Sequence, residues 1–182
     1  MKYQRIGVFL SANTDVPAAY TDAARGLGEW IGHTGRTLVY GGMAMGLMEV
    51  IGQAVVGAGG HTVGLIPSGA HWQGKQSSAV QMEILCTGLA DRKQSLIDES
   101  DILVALPGGI GTLDEIFTTL SSAGVGEHAK PVILLNTDHC WDSLIALLDD
   151  LRRRGLLRPQ FDAYLLTAST LEELIRMIEN RA

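Results

Sequence analysis

Short apolar runs rich in β-branched residues alternate with longer helical patterns along the whole chain. Runs of this kind are typical of buried strands, and we predict strands at residues 5–10, 37–40, 61–66, 102–106, 132–135 and 164–166, with 81–85 as a weaker candidate. Helical periodicity predicts helices at residues 17–33, 47–58, 90–99, 112–122, 141–154 and 170–180. This alternation predicts βαβ units, and therefore an α/β fold with a parallel sheet and right-handed crossovers.

The length of 182 residues suits one domain with a full core, so we expect residues 1–182 to form a single domain. We find no internal repeat and no linker. The longest irregular stretch, residues 67–80 (PSGAHWQGKQSSAV), is interpreted as a loop that borders a ligand site.

The charge balance argues against large anionic partners. The formal net charge is -6, whereas nucleic acids and anionic membranes require a basic face, so we expect neither as a partner. Cys86 and Cys140 lack metal-ligand spacing, and we interpret them as reduced thiols of a cytoplasmic protein. The apolar run near the N-terminus is too short for a signal sequence or a membrane span.

Three predicted strands end in small or polar residues directly before a helix, at residues 11–13 (SAN), 41–42 (GG) and 107–109 (PGG). In parallel α/β folds, ligands bind beyond the carboxyl ends of the strands, close to the point where the strand order reverses. We therefore expect these three loops to meet at one end of the sheet.

The strongest motif is LPGGIGTLDE at residues 106–115. Its glycines leave backbone N–H groups exposed at a helix N-terminus, which attracts phosphate, and Thr112 is predicted to cap the helix. A glycine-rich turn without any ligand is the alternative. The motif is neither GxGxxG nor a Walker A sequence, so hydrolysis of a nucleoside triphosphate is not indicated.

Charged residues near these loops each have two interpretations. Asp114 and Glu115 stand in the first turn of the predicted helix and either stabilise its N-terminus or include a catalytic carboxylate. Arg92 and Lys93 form either a solvated helix face or a cationic clamp for phosphate. The motif YGGMAMGLM at residues 40–48 indicates either tight strand–helix packing or a close approach to a ligand.

Together these motifs resemble the LOG family of cytokinin riboside 5'-monophosphate phosphoribohydrolases, often labelled lysine decarboxylases. The family pattern of a serine-containing loop, YGGGxxGLMG, RK and PGGxGTxxE corresponds here to Ser11, residues 40–49, Arg92-Lys93 and residues 107–115. The stretch HAKP at residues 128–131 also resembles a family element. The agreement in order and spacing extends over nearly the whole chain. Pyridoxal chemistry, which the decarboxylase label implies, requires a Schiff-base lysine with cofactor-anchoring groups, and the sequence offers no such constellation.

The resemblance implies a Rossmann-like, doubly wound parallel sheet and a homodimer with active sites near the subunit interface. Leu47, Met48, Ile51 and Val55 are apolar helix positions that would suit either a dimer contact or the core. The implied reaction is hydrolysis of the N-glycosidic bond of a purine nucleoside 5'-monophosphate, with AMP or a cytokinin nucleotide as substrate and without cofactor or metal.

The resemblance also assigns roles to individual residues. Arg92 and Glu115 match the catalytic pair of the family. Residues expected to bind substrate or phosphate are Ser11, Gly41, Gly42, Lys93, Pro107, Gly108, Gly109, Ile110, Gly111 and Thr112. The alternative function is a nucleotide-binding or molybdenum-cofactor carrier protein of the same fold that performs no reaction.

Departures from the family pattern concern the expected base pocket. Met43 replaces the third glycine of YGGG, and Glu49 stands where glycine is common. Residues 86–91 (CTGLAD) and 121–126 (SSAGVG) also differ from the family pattern. We expect these changes to line or border the base pocket and to affect which base is accepted more than which reaction occurs.

Overall fold

The computed structural model describes residues 3–69 and 72–181. Within these ranges, parallel strands form one sheet: β1 (Arg5–Phe9), β2 (Thr37–Tyr40), β3 (His61–Pro67), β4 (Met82–Cys86), β5 (Ile102–Ala105), β6 (Val132–Leu135) and β7 (Leu165–Ala168). The helices between and after them are α1 (Ala18–His33), α2 (Gly46–Gly57), α3 (Leu89–Asp98), α4 (Ile110–Gly124), α5 (Asp142–Arg153), α6 (Phe161–Tyr164) and α7 (Leu171–Asn180). The predicted α/β class with a parallel sheet is confirmed.

The strand order is β4-β3-β2-β1-β5-β6-β7. The chain builds outward from β1 to β4 and then returns to add β5 on the other side of β1. The order therefore reverses between β1 and β5, whose registers pair Ile6 with Ile102 and Phe9 with Ala105. Beyond the carboxyl ends of these two strands lies the crevice in which doubly wound folds bind ligands.

Helices cover both faces of the sheet. One core cluster contains buried residues of α1, α2 and α7, and a second contains those of α3, α4 and α5. Leu47, Met48, Ile51 and Val55 of α2 belong to the first cluster and are at most 9% exposed. These positions therefore form core and offer no surface to a dimer partner.

Some predicted boundaries were wrong. Tyr164 ends the one-turn helix α6, and β7 begins at Leu165, because a single helical turn carries too little periodicity to be read from sequence. Helix α4 begins at Ile110 with Gly109 as its N-cap, so Thr112 is not the capping residue. Asp114 and Glu115 consequently lie in the second turn of α4 and not in its first.

Candidate active site

A cavity of about 440 Å³ lies beyond the carboxyl ends of β1, β2 and β5. This volume is within the range of small-molecule sites. Its walls come from the loops after β1 and β2, the start of α4, one residue of α3 and the loop after β3. The three loops at residues 11–13, 41–42 and 107–109 therefore share one end of the sheet, as predicted.

Ser11 connects these loops through its backbone. Its N–H donates to the carbonyl of Pro107 at 3.2 Å, and its carbonyl accepts from the N–H of Leu47 at 3.1 Å. The side-chain oxygen of Ser11 accepts from the N–H of Asn13 at 3.0 Å. Hydrogen bonds through Ser11 thus join the segments that follow β1, β2 and β5 at the floor of the cavity.

The segment after β5, residues 107–112, contains the residues predicted to bind phosphate and is called the phosphate loop. Gly109, Ile110 and Gly111 are exposed there and line the cavity together with Thr112. Because α4 begins at Ile110, the unpaired N–H groups of its first turn and the positive end of its dipole face the cavity. The Thr112 side chain packs over Gly108, where a Cβ would lie 2.5 Å from Cβ of Thr112.

Arg92 extends from the first turn of α3 into the cavity. Its Nε donates to the carbonyl of Leu65 at 2.9 Å, and its Nη2 donates to the carbonyl of Gly41 at 3.0 Å. Burial lowers the pKa of the guanidinium, whereas the nearby Glu115 raises it. The arginine is therefore fixed by backbone contacts, with donors of Nη1 left for a ligand.

Glu115 reaches the same cavity from the second turn of α4. Burial raises the pKa of its carboxyl to about 7, with Asp114 acting in the same direction, while Arg92 and Lys93 oppose the shift. A carboxyl with such a pKa exists in both protonation states near neutral pH, as a general base requires.

Asp114 turns away from the cavity and binds Lys93. Both carboxylate oxygens of Asp114 lie 2.9 Å from Nζ of Lys93, and this ion pair links α3 to α4. Neither residue lines the cavity. Adjacent residues of a helix point about a hundred degrees apart, which explains why Glu115 and Asp114 have different surroundings.

The structure brings most of the residues predicted as site residues to the cavity and leaves others outside it. The cavity is lined by Ser11, Gly41, Arg92, Gly109, Ile110, Gly111, Thr112 and Glu115. Gly42, Lys93, Pro107 and Gly108 are not among the lining residues. Gly42 has a φ of 66° and packs against β3, where a Cβ would lie 2.9 Å from the Cα of Gly64.

Sequence reasoning did not single out the individual residues that form the remaining wall. Asn13, Met45, Met48, Trp72 and Lys75 all line the cavity. The loop at residues 67–80 was predicted to border the site, but no periodicity or motif indicated which of its side chains point inward. Ala70 and His71 of this loop lie outside the described residues.

The HAKP stretch has a structural role at a distance from the cavity. Nζ of Lys130 donates to the carbonyls of Ile97 and Asp98 at 2.6 and 3.0 Å, and so caps the carboxyl end of α3. The N–H of Lys130 donates to Nδ1 of His128 at 3.1 Å. This element stabilises the helix that carries Arg92 at its other end.

Comparisons with known proteins connect this geometry to a family. Residues 48–178 match the family model described as "Possible lysine decarboxylase". The chain is 34% identical to a cytokinin riboside 5'-monophosphate phosphoribohydrolase of Arabidopsis thaliana over 181 residues, which cover 100% of this chain and 84% of that protein. The chain belongs to the LOG family.

A second LOG relative and a solved structure support this assignment. A protein of Oryza sativa subsp. japonica, named as a probable cytokinin riboside 5'-monophosphate phosphoribohydrolase, is 35% identical over 98% of this chain and 72% of its own length. The molybdenum cofactor binding protein of Rippkaea orientalis superposes with a TM-score of 0.75 at 30% identity, covering 99% of this chain and 98% of that one.

Only some of the departures from the LOG pattern lie at the cavity. Met43 is buried and lines the cavity, as expected. Glu49 does not line it; its Oε1 accepts from Nε2 of Gln53 at 2.8 Å. Residues 121–126 lie at the far end of α4, about 15 Å from the phosphate loop, and do not line the cavity.

Residues 3–69 and 72–181 contain neither a candidate metal site nor a candidate membrane span. No cluster of three or more His, Cys, Asp or Glu side chains there could hold a metal ion. Among the same residues, none of the helices has the length and apolar character needed to cross a membrane.

Proposed function

We propose that this LOG-family protein hydrolyses the N-glycosidic bond of purine nucleoside 5'-monophosphates, AMP and cytokinin nucleotides among them, to free base and ribose 5-phosphate. The observation that carries the proposal is the placement of Glu115 and Arg92 in one cavity with the phosphate loop. The LOG relatives are named for this reaction.

The phosphate loop is proposed to bind the 5'-phosphate. Exposed N–H groups of Gly109, Ile110 and Gly111 at the start of α4 provide donors and a positive dipole. Binding energy from the phosphate then orients the ribose, which contributes to catalysis without contact with the bond that breaks.

Glu115 is proposed to act at C1' of the ribose. Departure of the base builds positive charge on the sugar, as in glycoside hydrolysis, and a carboxylate beside C1' stabilises that charge. The Glu115 carboxylate then takes a proton from the attacking water as its oxygen bonds to C1', and the departing base takes up a proton from solvent. Its pKa of about 7 leaves a substantial ionised fraction at neutral pH.

Arg92 is proposed to contact the phosphate or the departing base with its remaining donors. The backbone carbonyls of Gly41 and Leu65 hold its guanidinium in place before substrate binds. Because the guanidinium is already held in place, the side chain loses little conformational entropy during the reaction.

A homodimer is proposed for the assembly. Leu85, Leu89 and Ile110 are apolar side chains on elements next to the site, and they are 70%, 57% and 83% exposed. A partner subunit would cover them. Light scattering at micromolar concentration should give a mass above 19.5 kDa, and a mass equal to the monomer would contradict the proposal.

The free thiols of Cys86 and Cys140 support a proposed cytoplasmic location, which fractionation of cells would test.

Incubation of the protein with AMP, isopentenyl-AMP and adenosine tests the reaction. Chromatography should reveal free base and ribose 5-phosphate from the nucleotides and much less base from adenosine, because adenosine lacks the phosphate. Equal rates with AMP and adenosine would show that binding of the phosphate to this loop does not contribute to the reaction.

The second candidate function is binding without turnover. The similarity to the molybdenum cofactor binding protein of Rippkaea orientalis favours it. A carrier would bind its ligand tightly yet release no base from any of the nucleotides. The same incubation therefore separates the two functions, with the presence of both Glu115 and Arg92 in the cavity favouring the enzyme.

A further inference from the structure

The loop after β3 brings a lysine to the cavity, and backbone hydrogen bonds fix this loop to the loop after β2. The N–H of Ala44 donates to the carbonyl of Lys75 at 2.8 Å, and the N–H of Ser77 donates to the carbonyl of Gly42 at 2.9 Å. Met43 and Gln76 form an antiparallel bridge between these two bonds. The backbone of Lys75 therefore has a defined place beside the end of β2.

This place lies on the side of the cavity opposite the phosphate loop. The phosphate loop follows β5, and β1 separates β5 from β2. Adjacent strands are about 4.8 Å apart, so the loop after β2 begins about 10 Å from the phosphate loop. A nucleotide with its phosphate on residues 109–112 and its ribose at Glu115 would extend its base toward Met43 and Lys75.

The side chains on this side combine apolar contact with one cation. Met43, Met45, Met48 and Trp72 provide surfaces for the faces of a flat base. Lys75 lines the same wall, and none of the ion pairs among the described residues involves it. Its ammonium group can only donate hydrogen bonds.

Purine bases differ in what they present to such a donor. A 6-oxopurine presents two acceptors side by side, O6 and N7, whereas adenine presents the acceptor N7 beside the donor N6 amine. A lysine ammonium therefore matches the 6-oxopurine edge and meets a competing donor on adenine. We propose that Lys75 makes this site select 6-oxopurine nucleoside 5'-monophosphates, such as IMP and GMP, over AMP. The inference rests on the proposed function, because it assigns the base side of the same site.

The test compares kcat/KM for IMP, GMP and AMP in the wild type, Lys75→Met and Lys75→Glu. The wild type should favour IMP over AMP by about tenfold, and Lys75→Met should remove most of that ratio by lowering the value for IMP. Lys75→Glu offers an acceptor to the adenine amine and should move the ratio further toward AMP. Arg158→Met is the control, because it removes one positive charge at an exposed position outside the cavity.

Two outcomes would overturn the inference. One is a wild-type preference for AMP over IMP. The other is an equal loss of kcat/KM for all three nucleotides in Lys75→Met, which would indicate that the ammonium group binds the phosphate and not the base. Circular dichroism of each variant verifies folding.

A binding measurement keeps this inference separate from the proposed function. Calorimetry with Glu115→Gln should give tighter binding of IMP than of AMP, and the added Lys75→Met substitution should abolish the difference. If the wild type releases no base from any nucleotide, the proposed reaction fails, while this binding preference still supports the role of Lys75. Equal affinities for IMP and AMP, or no binding of either, would contradict it.

Discussion

Arg92 and Gly41 are in direct contact: Nη2 of the arginine donates to the glycine carbonyl at 3.0 Å. The guanidinium also fills the space that a side chain at position 41 would occupy. A Cβ on Gly41 would collide with Nη2 of Arg92 and would lie 2.7 Å from Sδ of Met48. Glycine at position 41 is therefore a condition for the observed position of Arg92.

Gly41→Ala should displace Arg92 and lower kcat/KM by about tenfold or more, because the new methyl group takes the place of the guanidinium. Gly57→Ala is the matched control at the C-terminal end of α2, where a Cβ would meet nothing within 4 Å. That control should keep full activity and unfold at the same or a higher temperature. Normal kinetics in Gly41→Ala would show that the position of Arg92 is unimportant for turnover.

Arg92→Ala should reduce both turnover and nucleotide affinity, because it removes a buried cation that faces the ligand. It also removes the main charge that opposes the raised pKa of Glu115, so the acid limb of the pH–rate profile should move to higher pH. Arg92→Lys retains the charge without the planar fork and should restore the position of that limb better than the rate. A profile that does not move in Arg92→Ala would contradict the proximity of the two groups.

Gly109→Ala tests the phosphate loop without disturbing the fold. A Cβ on Gly109 would meet nothing within 4 Å, and the φ of -100° suits alanine. The methyl group would project into space that a bound phosphate approaches, so KM for AMP should rise by about tenfold while the melting temperature stays unchanged. An unchanged KM for AMP would indicate that phosphate binds elsewhere.

The pKa of Glu115 predicts a pH dependence of both activity and stability. Since the reaction requires the carboxylate, kcat should rise with pH through about 7. Lys93 lowers the pKa of Glu115 and Asp114 raises it, so Lys93→Met should move this limb to higher pH and Asp114→Asn to lower pH. Limbs that move in the opposite directions would show that a different group controls the rate.

The stability effect follows from linkage. The folded protein holds the proton of Glu115 more tightly than the unfolded chain, so its stability relative to Glu115→Gln should fall as pH rises from 4.5 to about 7. The change should be on the order of 3 kcal/mol over that window. Urea denaturation of both proteins at pH 5 and pH 8 measures it, and a pH-independent difference would contradict the raised pKa.

The fold was predictable because its strands are continuous apolar runs and its helices have strong periodicity. All the predicted strands and helices occur in the described residues, including the weaker candidate at 81–85. The one-turn helix α6 was missed, and the start of α4 was placed two residues late, since backbone geometry at Gly109 and Ile110 decides where that helix begins. The strand order required the structure, because sequence periodicity does not determine which strands are neighbours.

The site was predictable where a motif fixes the backbone and unpredictable where only tertiary packing decides. Residues 109–112 line the cavity because they form the N-cap and the first turn of α4, which follows directly on β5 and the glycine-rich turn. Lys93 resembled a ligand group in sequence, but its side chain pairs with Asp114 across two helices. Trp72 and Lys75 sit in an irregular loop whose position depends on hydrogen bonds to the loop after β2.

The central claim is that Glu115, and not its neighbour Asp114, is the catalytic carboxylate of nucleotide hydrolysis. Glu115→Gln keeps the shape of the side chain and removes its charge, and Asp114→Asn is the matched control on the exposed face of the same turn. Steady-state release of base from a purine nucleoside 5'-monophosphate should fall by about a hundredfold or more in Glu115→Gln, with nucleotide affinity largely retained. Asp114→Asn should remain within a fewfold of the wild type at its optimal pH. Near-normal turnover in Glu115→Gln together with loss of turnover in Asp114→Asn would contradict the claim.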